Sequence, residues 1–308
     1  MTRIFKRFHL PAVTAYLISG VLVGPYFLGK LGVDGLGFNS AEQIEHLSLI
    51  SEVALGFIAF SIGNEFRLEE LKKTGKQATV IGIFQALAAT VVVDAALLVV
   101  HLIMPDKLTL PQLLTLGAIA TATAPAATLM VVREYKAKGP LTSLLLPIVA
   151  LDDAVGLIVF AVCFGISKTL VSGEIDLISI IVNPLIEIVL SLILGAVMGW
   201  LLTHLEKLFN SKTNRLNLTI AFVFLTASLS MISFSIGPVH IGFSSLLVCM
   251  MLGTIFCNIC PLADDLMAAS DKWTSPLFAL FFVISGAELE LSVFTDVAIV
   301  GIGLVYIV

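Results

Sequence analysis

Ten uninterrupted apolar stretches follow one another along this chain, each near the length that crosses lipid, and no other property limits its fold so tightly. They occupy residues 10–28, 47–66, 77–104, 110–132, 141–167, 177–205, 216–236, 240–260, 274–291 and 295–308. A hydrocarbon core about 30 Å thick takes about 20 helical residues. Apolarity without alternation makes these helices and excludes barrel strands, which turn every second residue to lipid. Of 308 residues, 58% are hydrophobic and 13% charged, and the mean hydropathy is +1.06, an oilier surface than any water-soluble domain carries. The expected class is an all-α polytopic membrane protein, with residues 1–308 forming a single membrane domain of ten transmembrane helices whose first partner is the lipid bilayer.

The formal charge of −5 comes from 17 basic and 22 acidic residues scattered over the loops, and it points to no nucleic-acid partner. Cys163, Cys249, Cys257 and Cys260 lie in apolar runs, which argues against a disulfide framework. The Cys257-x-x-Cys260 pair has no second pair to complete a metal site, and apolar packing is its expected role. The start, Arg3 to Arg7 followed by the run from Leu10 to Leu28, has the look of a signal peptide. It is too long, lacks a small-residue cleavage site and precedes many more spans, so a retained helix is expected. Positive loops stay cytoplasmic. Alternate loops hold 14 of the 17 basic residues, leaving Lys30, Lys107 and Lys168 for the other side. The chain is therefore expected to start in the cytoplasm and to lie in a cell membrane as a multi-pass protein.

The second apolar segment ends Ser61-Ile-Gly63-Asn-Glu65 and the ninth ends Ser285-Gly286-Ala-Glu288, a shared Gly-x-Glu. By charge parity these two helices cross the bilayer in opposite directions, as the halves of an inverted repeat do. A shared packing need is the competing explanation.

Asp152 and Asp153 stand in the fifth segment about 18 Å from its start, near mid-membrane. An ionised carboxylate there costs about 2.5–3.5 kcal/mol or more, and two adjacent ones repel each other. One of the pair is then poised to exchange a proton. A group that holds either a proton or a hard cation, and not both, is the least machinery that coupled exchange requires. Neighbours on a helix point about 100° apart. Asp153 is thus expected to bind the ion, as the one metal ligand proposed (for a monovalent cation), and Asp152 to face a basic partner or the proton path.

The fourth segment carries Thr121-Ala-Thr123-Ala-Pro125-Ala-Ala-Thr128. Pro125 cannot donate to the carbonyl one turn back, and the small neighbours let backbone separate. A helix break at mid-membrane follows, with freed carbonyls and the hydroxyls of Thr121, Thr123 and Thr128 as oxygen ligands for a hard cation. Glu65, Glu288 and Asp94 are candidates for a proton path. Glu52 has the same status, Glu187 reads as a helix–helix hydrogen-bonder, and His240 as an ordinary histidine in a short turn after Pro238.

Taken together, Thr121–Thr128, Leu151-Asp-Asp-Ala-Val-Gly156, the run Leu10–Pro25 and Phe281–Gly286 resemble the monovalent cation:proton antiporters, in particular the sodium/proton exchangers with paired aspartates. The likeness runs over essentially the whole chain. It implies an inverted-repeat antiporter fold with broken, crossing helices, in a homodimer whose protomers have about thirteen helices and a mobile core. This chain would be truncated at both ends, with the second broken helix and a basic partner for the first aspartate beyond Val308. The resemblance further implies that Asp153 is the shared ion and proton carrier, Asp152 its companion in electrogenic members, and Thr123 the crossing point. Many sodium-selective relatives have an acidic or hydroxyl residue just before the proline, where this chain has Ala124.

The resulting expectation is a secondary active antiporter, not an enzyme and without a cofactor, exchanging Na+ or Li+ for H+ by alternating access. The alternatives are a K+/H+ antiporter and a non-transporting sensor or channel-like module on the same scaffold. A sodium-coupled organic-anion carrier would need a roomier polar cavity than these residues can line.

Overall fold

The computed structural model describes residue 5 and residues 11–33, 35–64, 66–123, 128, 131–132, 134–172, 182–236 and 239–307. The side chains of residues 69–74, 146, 150, 153–154, 157, 161, 168–169, 172, 184, 235–236, 239–240 and 271 lie outside the description. Each apolar segment of the sequence overlaps helix among the described residues. The helices are α1 (Ala12–Val23), α3 (Ser48–Gly63), α4 (Leu68–Ile103), α5 (Leu110–Ile119), α6 (Pro140–Ser172), α7 (Asn183–Glu206), α8 (Lys212–Ser230), α9 (Ser245–Ile259), α10 (Ala263–Ala287) and α11 (Val297–Ile307), while the short α2 (Ala41–Glu45) precedes α3.

Local chemistry sets several of the ends. Thr109 opens α5 with a capping box, its N–H donating to Gln112 Oε1 at 2.9 Å. The hydroxyl of Ser244 accepts from the Leu247 N–H at the start of α9. Apolar side chains point outward as well as inward: Phe84 on α4 is 71% exposed and Leu102 is 74% exposed. In water such a surface would aggregate, and in lipid it is the natural exterior. Gly75–Ile103 within α4 and Leu185–Glu206 within α7 are long and apolar enough to span by themselves. Others are shorter than the apolar runs that contain them: α1, α3 and α9 have 12, 16 and 15 residues. Turns such as the one after Gly24, and the short 3-10 helix Gly29–Leu31, take up the remainder.

One stretch departs from the all-helical expectation. The run expected to be helical to residue 236 ends at Ser230, and Phe234–Ile236 then pairs antiparallel with Val239–Ile241. Apolar and polar residues alternate in Phe-Ser-Ile and Val-His-Ile around a Gly-Pro, the pattern of a short hairpin. His240, read as part of a turn, is in the second strand opposite Ser235.

The helices pack in two sets. In one, α4, α5 and α6 touch pairwise, and α11 leans on α4. In the other, α9 packs on α7 and α3, α10 on α1 and α3, and α8 lies against α3, α7, α9 and α10. Contacts of α6 with α7 join the sets. The second set holds the two large apolar clusters, one around Ile58, Leu247 and Phe282, the other around Phe60, Leu202, Leu252 and Phe256. Backbones approach closely there. A β-carbon on Gly63 would overlap the Met250 carbonyl oxygen across the α3–α9 contact, and one on Gly286 would overlap the Leu17 carbonyl oxygen across α10–α1. The two glycines of the Gly-x-Glu echo therefore do the same packing work, letting helix backbones meet without side chains between them.

Candidate functional site

Among the described residues, α5 ends just before the Thr-Ala-Thr-Ala-Pro run. Regular geometry ends at Ile119, Ala120 and Thr121 close the last turn onto Leu116 and Ala118, and Ala122 and Thr123 leave the helix. Pro125 itself lies outside the described residues, and Thr128 is half-buried and helical again. The released segment lies against α6, where Gly156 faces the Ala122 methyl and leaves room for it.

Asp152 meets the break. Its side chain is fully buried, at 0% exposure. Oδ2 accepts from the Thr123 backbone N–H at 2.9 Å and from the Thr123 hydroxyl at 2.6 Å. A carboxylate thus takes the place of the helical carbonyl that Thr123 has lost. Oδ1 is buried and has no hydrogen-bond partner among the described residues. One oxygen is fastened and the other is enclosed without a partner, an arrangement that leaves it free to take a proton or a cation without losing its anchor. The expected basic partner of Asp152 is absent among the described residues, and its recorded partner is Thr123.

Polar groups of α4 support the break from behind. Gln85 Nε2 donates to Thr123 Oγ1 at 3.4 Å, and the Thr90 and Thr121 hydroxyls lie 2.6 Å apart. Thr90 gives its proton to the Ala86 carbonyl at 3.0 Å, so Thr121 donates to Thr90. Thr121, 1% exposed, is thereby committed to its neighbour helix. Sequence reasoning missed Gln85 and Thr90. Their signal was a polar side chain in an apolar helix, and Thr90 stands one turn before Asp94 on the same side of α4.

Asp153 follows Asp152 within α6, and its side chain lies outside the described residues, as does Glu65. Asp94 sits half-buried in α4 against Gly117 of α5, with Cys163 of α6 nearby and with Oδ1 lacking a partner among the described residues. Glu288 caps α10 in the other helix set and is exposed, as is Glu52. Cys260 donates to Glu206 Oε2 at 3.6 Å, Cys257 to the Thr254 carbonyl at 3.2 Å, and both thiols are buried.

A helical membrane bundle with a broken helix held by a buried carboxylate defines a class, the multi-pass membrane transporters. The family model "Sodium/hydrogen exchanger, transmembrane" matches residues 1–308, and the chain belongs to that family. Among curated relatives, the chain is 28% identical over 200 residues to the high-affinity Na+/H+ antiporter NhaS3 of Synechocystis sp., covering 57% of this chain and 42% of that one. It is 30% identical over 84 residues to a probable Na+/H+ antiporter 3 of Methanocaldococcus jannaschii, covering 27% and 19%. The matched stretches thus span less than half of either relative. The solved structure of the sodium proton antiporter MjNhaP1 from M. jannaschii at pH 8 superposes with a TM-score of 0.67 at 21% identity, over 99% of this chain and 71% of that one. An electron-microscopy structure of MjNhaP1 gives 0.68 at 16% identity, over 94% and 66%. At such identities the likeness is one of fold, and the fold is the antiporter fold.

Proposed function

We propose that this chain carries the exchange site of a secondary antiporter that moves a monovalent cation, Na+ or Li+, against H+ by alternating access. The reading rests chiefly on Asp152, fully buried, holding the end of the broken helix through Thr123 and keeping its second oxygen without a hydrogen-bond partner among the described residues. Asp153, next in the same helix, is the shared carrier of ion and proton. Asp152 is its companion, as in the paired-aspartate branch, and Thr123, Thr121 and Thr128 with Pro125 form the broken-helix wall. Asp94, Glu65 and Glu288 are assigned to proton paths. The protein acts as a homodimer in a cell membrane, this chain being one transport domain that begins on the cytoplasmic side.

Burial excludes two simultaneous unpaired charges, so the carrier exchanges a cation for a proton and not for nothing. The names of the curated relatives favour sodium. The methyl of Ala124 in place of a ligand before the proline keeps a K+/H+ antiporter as the second reading.

The test is cation-dependent proton movement in proteoliposomes holding the full-length protein. Asp153→Asn is expected to abolish it while the protein still elutes as a folded dimer. Asp152→Asn is expected to slow it and alter the charge moved per cycle. Normal exchange in Asp153→Asn removes the site assignment. Equal, total loss in both variants with lowered thermal stability makes the pair a structural unit instead.

A further inference from the structure

A pocket of about 310 Å³ opens between the first turn of α8 and the N-terminal half of α10, in the helix set that does not contain Asp152. Lys212, Arg215 and Lys272 line it together with Asp265, Leu262, Leu266 and two alanines. Three cations thus face one carboxylate. Lys212 reaches Asp265 at 3.4 Å, a long and exposed contact of small worth. Arg215 spends Nε on the Phe209 carbonyl at 2.6 Å, and neither it nor Lys272 has an ion-pair partner among the described residues. Buried Glu206, hydrogen-bonded by Thr219 at 2.7 Å, offsets part of the Arg215 charge from beneath. The balance at the mouth stays positive.

Two further features point to an anion. Lys212 and Arg215 occupy the first turn of α8, which has no acidic residue and no side-chain cap at Ser211. Cations at the positive end of a helix dipole repel it, and an anion placed there is attracted by both. The pocket is also level with the boundary of the oil. The apolar stretch of α10 begins at Lys272 and that of α8 at Leu216, while Leu262 at the wall is 40% exposed. A free phosphate would use the cations and leave Leu262 idle. A phospholipid uses both, its phosphate on the cations and its first methylenes on the leucine.

We propose that this pocket binds the headgroup phosphate of an anionic phospholipid from the cytoplasmic leaflet, with Arg215 and Lys272 as its principal contacts. The assignment rests on the cytoplasmic orientation of these loops and not on which ion the protein exchanges. Basic side chains at a membrane surface gain affinity for anionic lipid, and the cytoplasmic leaflet is where such lipid is concentrated.

Native mass spectrometry of the full-length protein, released from detergent holding equal amounts of dioleoyl phosphatidylglycerol and dioleoyl phosphatidylcholine, tests it. Phosphatidylglycerol is expected to be retained selectively. Arg215→Gln with Lys272→Gln is expected to weaken that retention roughly 30-fold, and exposed Lys272→Gln alone roughly fivefold. Arg215→Lys with Lys272→Arg, and Lys136→Gln in a separate loop, are expected to keep it. Equal retention of the two lipids, unchanged retention in Lys272→Gln and in the double variant, or full displacement by excess inorganic phosphate overturns the proposal. Retention measured in Asp153→Asn separates this site from the exchange site, since the lipid is expected to stay bound whatever that variant does to exchange.

Discussion

At the scale of single residues, the Thr123–Asp152 contact carries the most consequence. Both donors of Thr123 converge on one carboxylate oxygen, and hydrogen bonds to a charged acceptor contribute about 1.5–3 kcal/mol each. Thr123→Val removes the hydroxyl donor and keeps the shape. It is expected to cost about 1–3 kcal/mol of stability and to slow exchange, whereas Thr123→Ser should restore both. Thermal melting in detergent and proteoliposome exchange measure the two effects, and unchanged exchange in Thr123→Val would detach the threonine from the site. Outside the membrane, the hydrogen bond from Lys107 at 2.8 Å and the Ala298 N–H hold the Asp296 carboxyl below its usual range. A carboxylate whose folded value is depressed adds stability above its unfolded value and loses it as the pH falls through the lower folded value. Acidification below about pH 4 should therefore loosen the start of α11 from the loop before α5. Hydrogen exchange of the Ala298 amide, faster in acid than its intrinsic rate predicts, is the expected mark, and Asp296→Asn should remove the pH dependence.

At the scale of elements, the site exists because one helix stops and its neighbour makes room. The stop is legible in Thr-Ala-Thr-Ala-Pro, where small residues and a missing donor weaken the helix. The room at Gly156 is not, because a glycine in an apolar run looks the same whether it faces lipid or a neighbour. Gly63 and Gly301 illustrate the difference. A β-carbon at Gly63 meets the backbone of α9, and at Gly301 it meets open space. Gly63→Ala is expected to destabilise the protein by about 1–3 kcal/mol by forcing α3 from α9. Gly301→Ala should stabilise α11 by about 0.5–1 kcal/mol through backbone entropy. Melting temperatures of the two variants should move in opposite directions.

At the scale of the whole molecule, the broken helix and the paired aspartates share the α4–α5–α6 set, and the large apolar clusters lie in the other. The proposed alternating access would move one set against the other while each stays intact. Besides the α6–α7 contact, the Ala12 N–H donates to Glu134 Oε2 at 3.1 Å, joining α1 to the chain beyond the break. A crosslink between cysteines introduced at Ala12 and Glu134 is expected to arrest exchange and to release it on reduction. A crosslink within one set, between Thr115 and Ser167, should leave exchange intact. Exchange that survives the first crosslink would mean the sets do not move apart at this point.

The sequence alone determined the class, because ten apolar runs cannot be hidden from water in any other way, and it marked Asp152 and Asp153, because charge in oil is too costly to be incidental. It also marked the break. Tertiary structure decided that Asp152 holds Thr123, that Thr121 is committed to Thr90, and that the Gly-x-Glu glycines are points of backbone contact. Those outcomes depend on which faces of separate helices meet. Hydropathy is nearly uniform around a helix immersed in lipid, so the sequence leaves no apolar stripe from which such a face can be read.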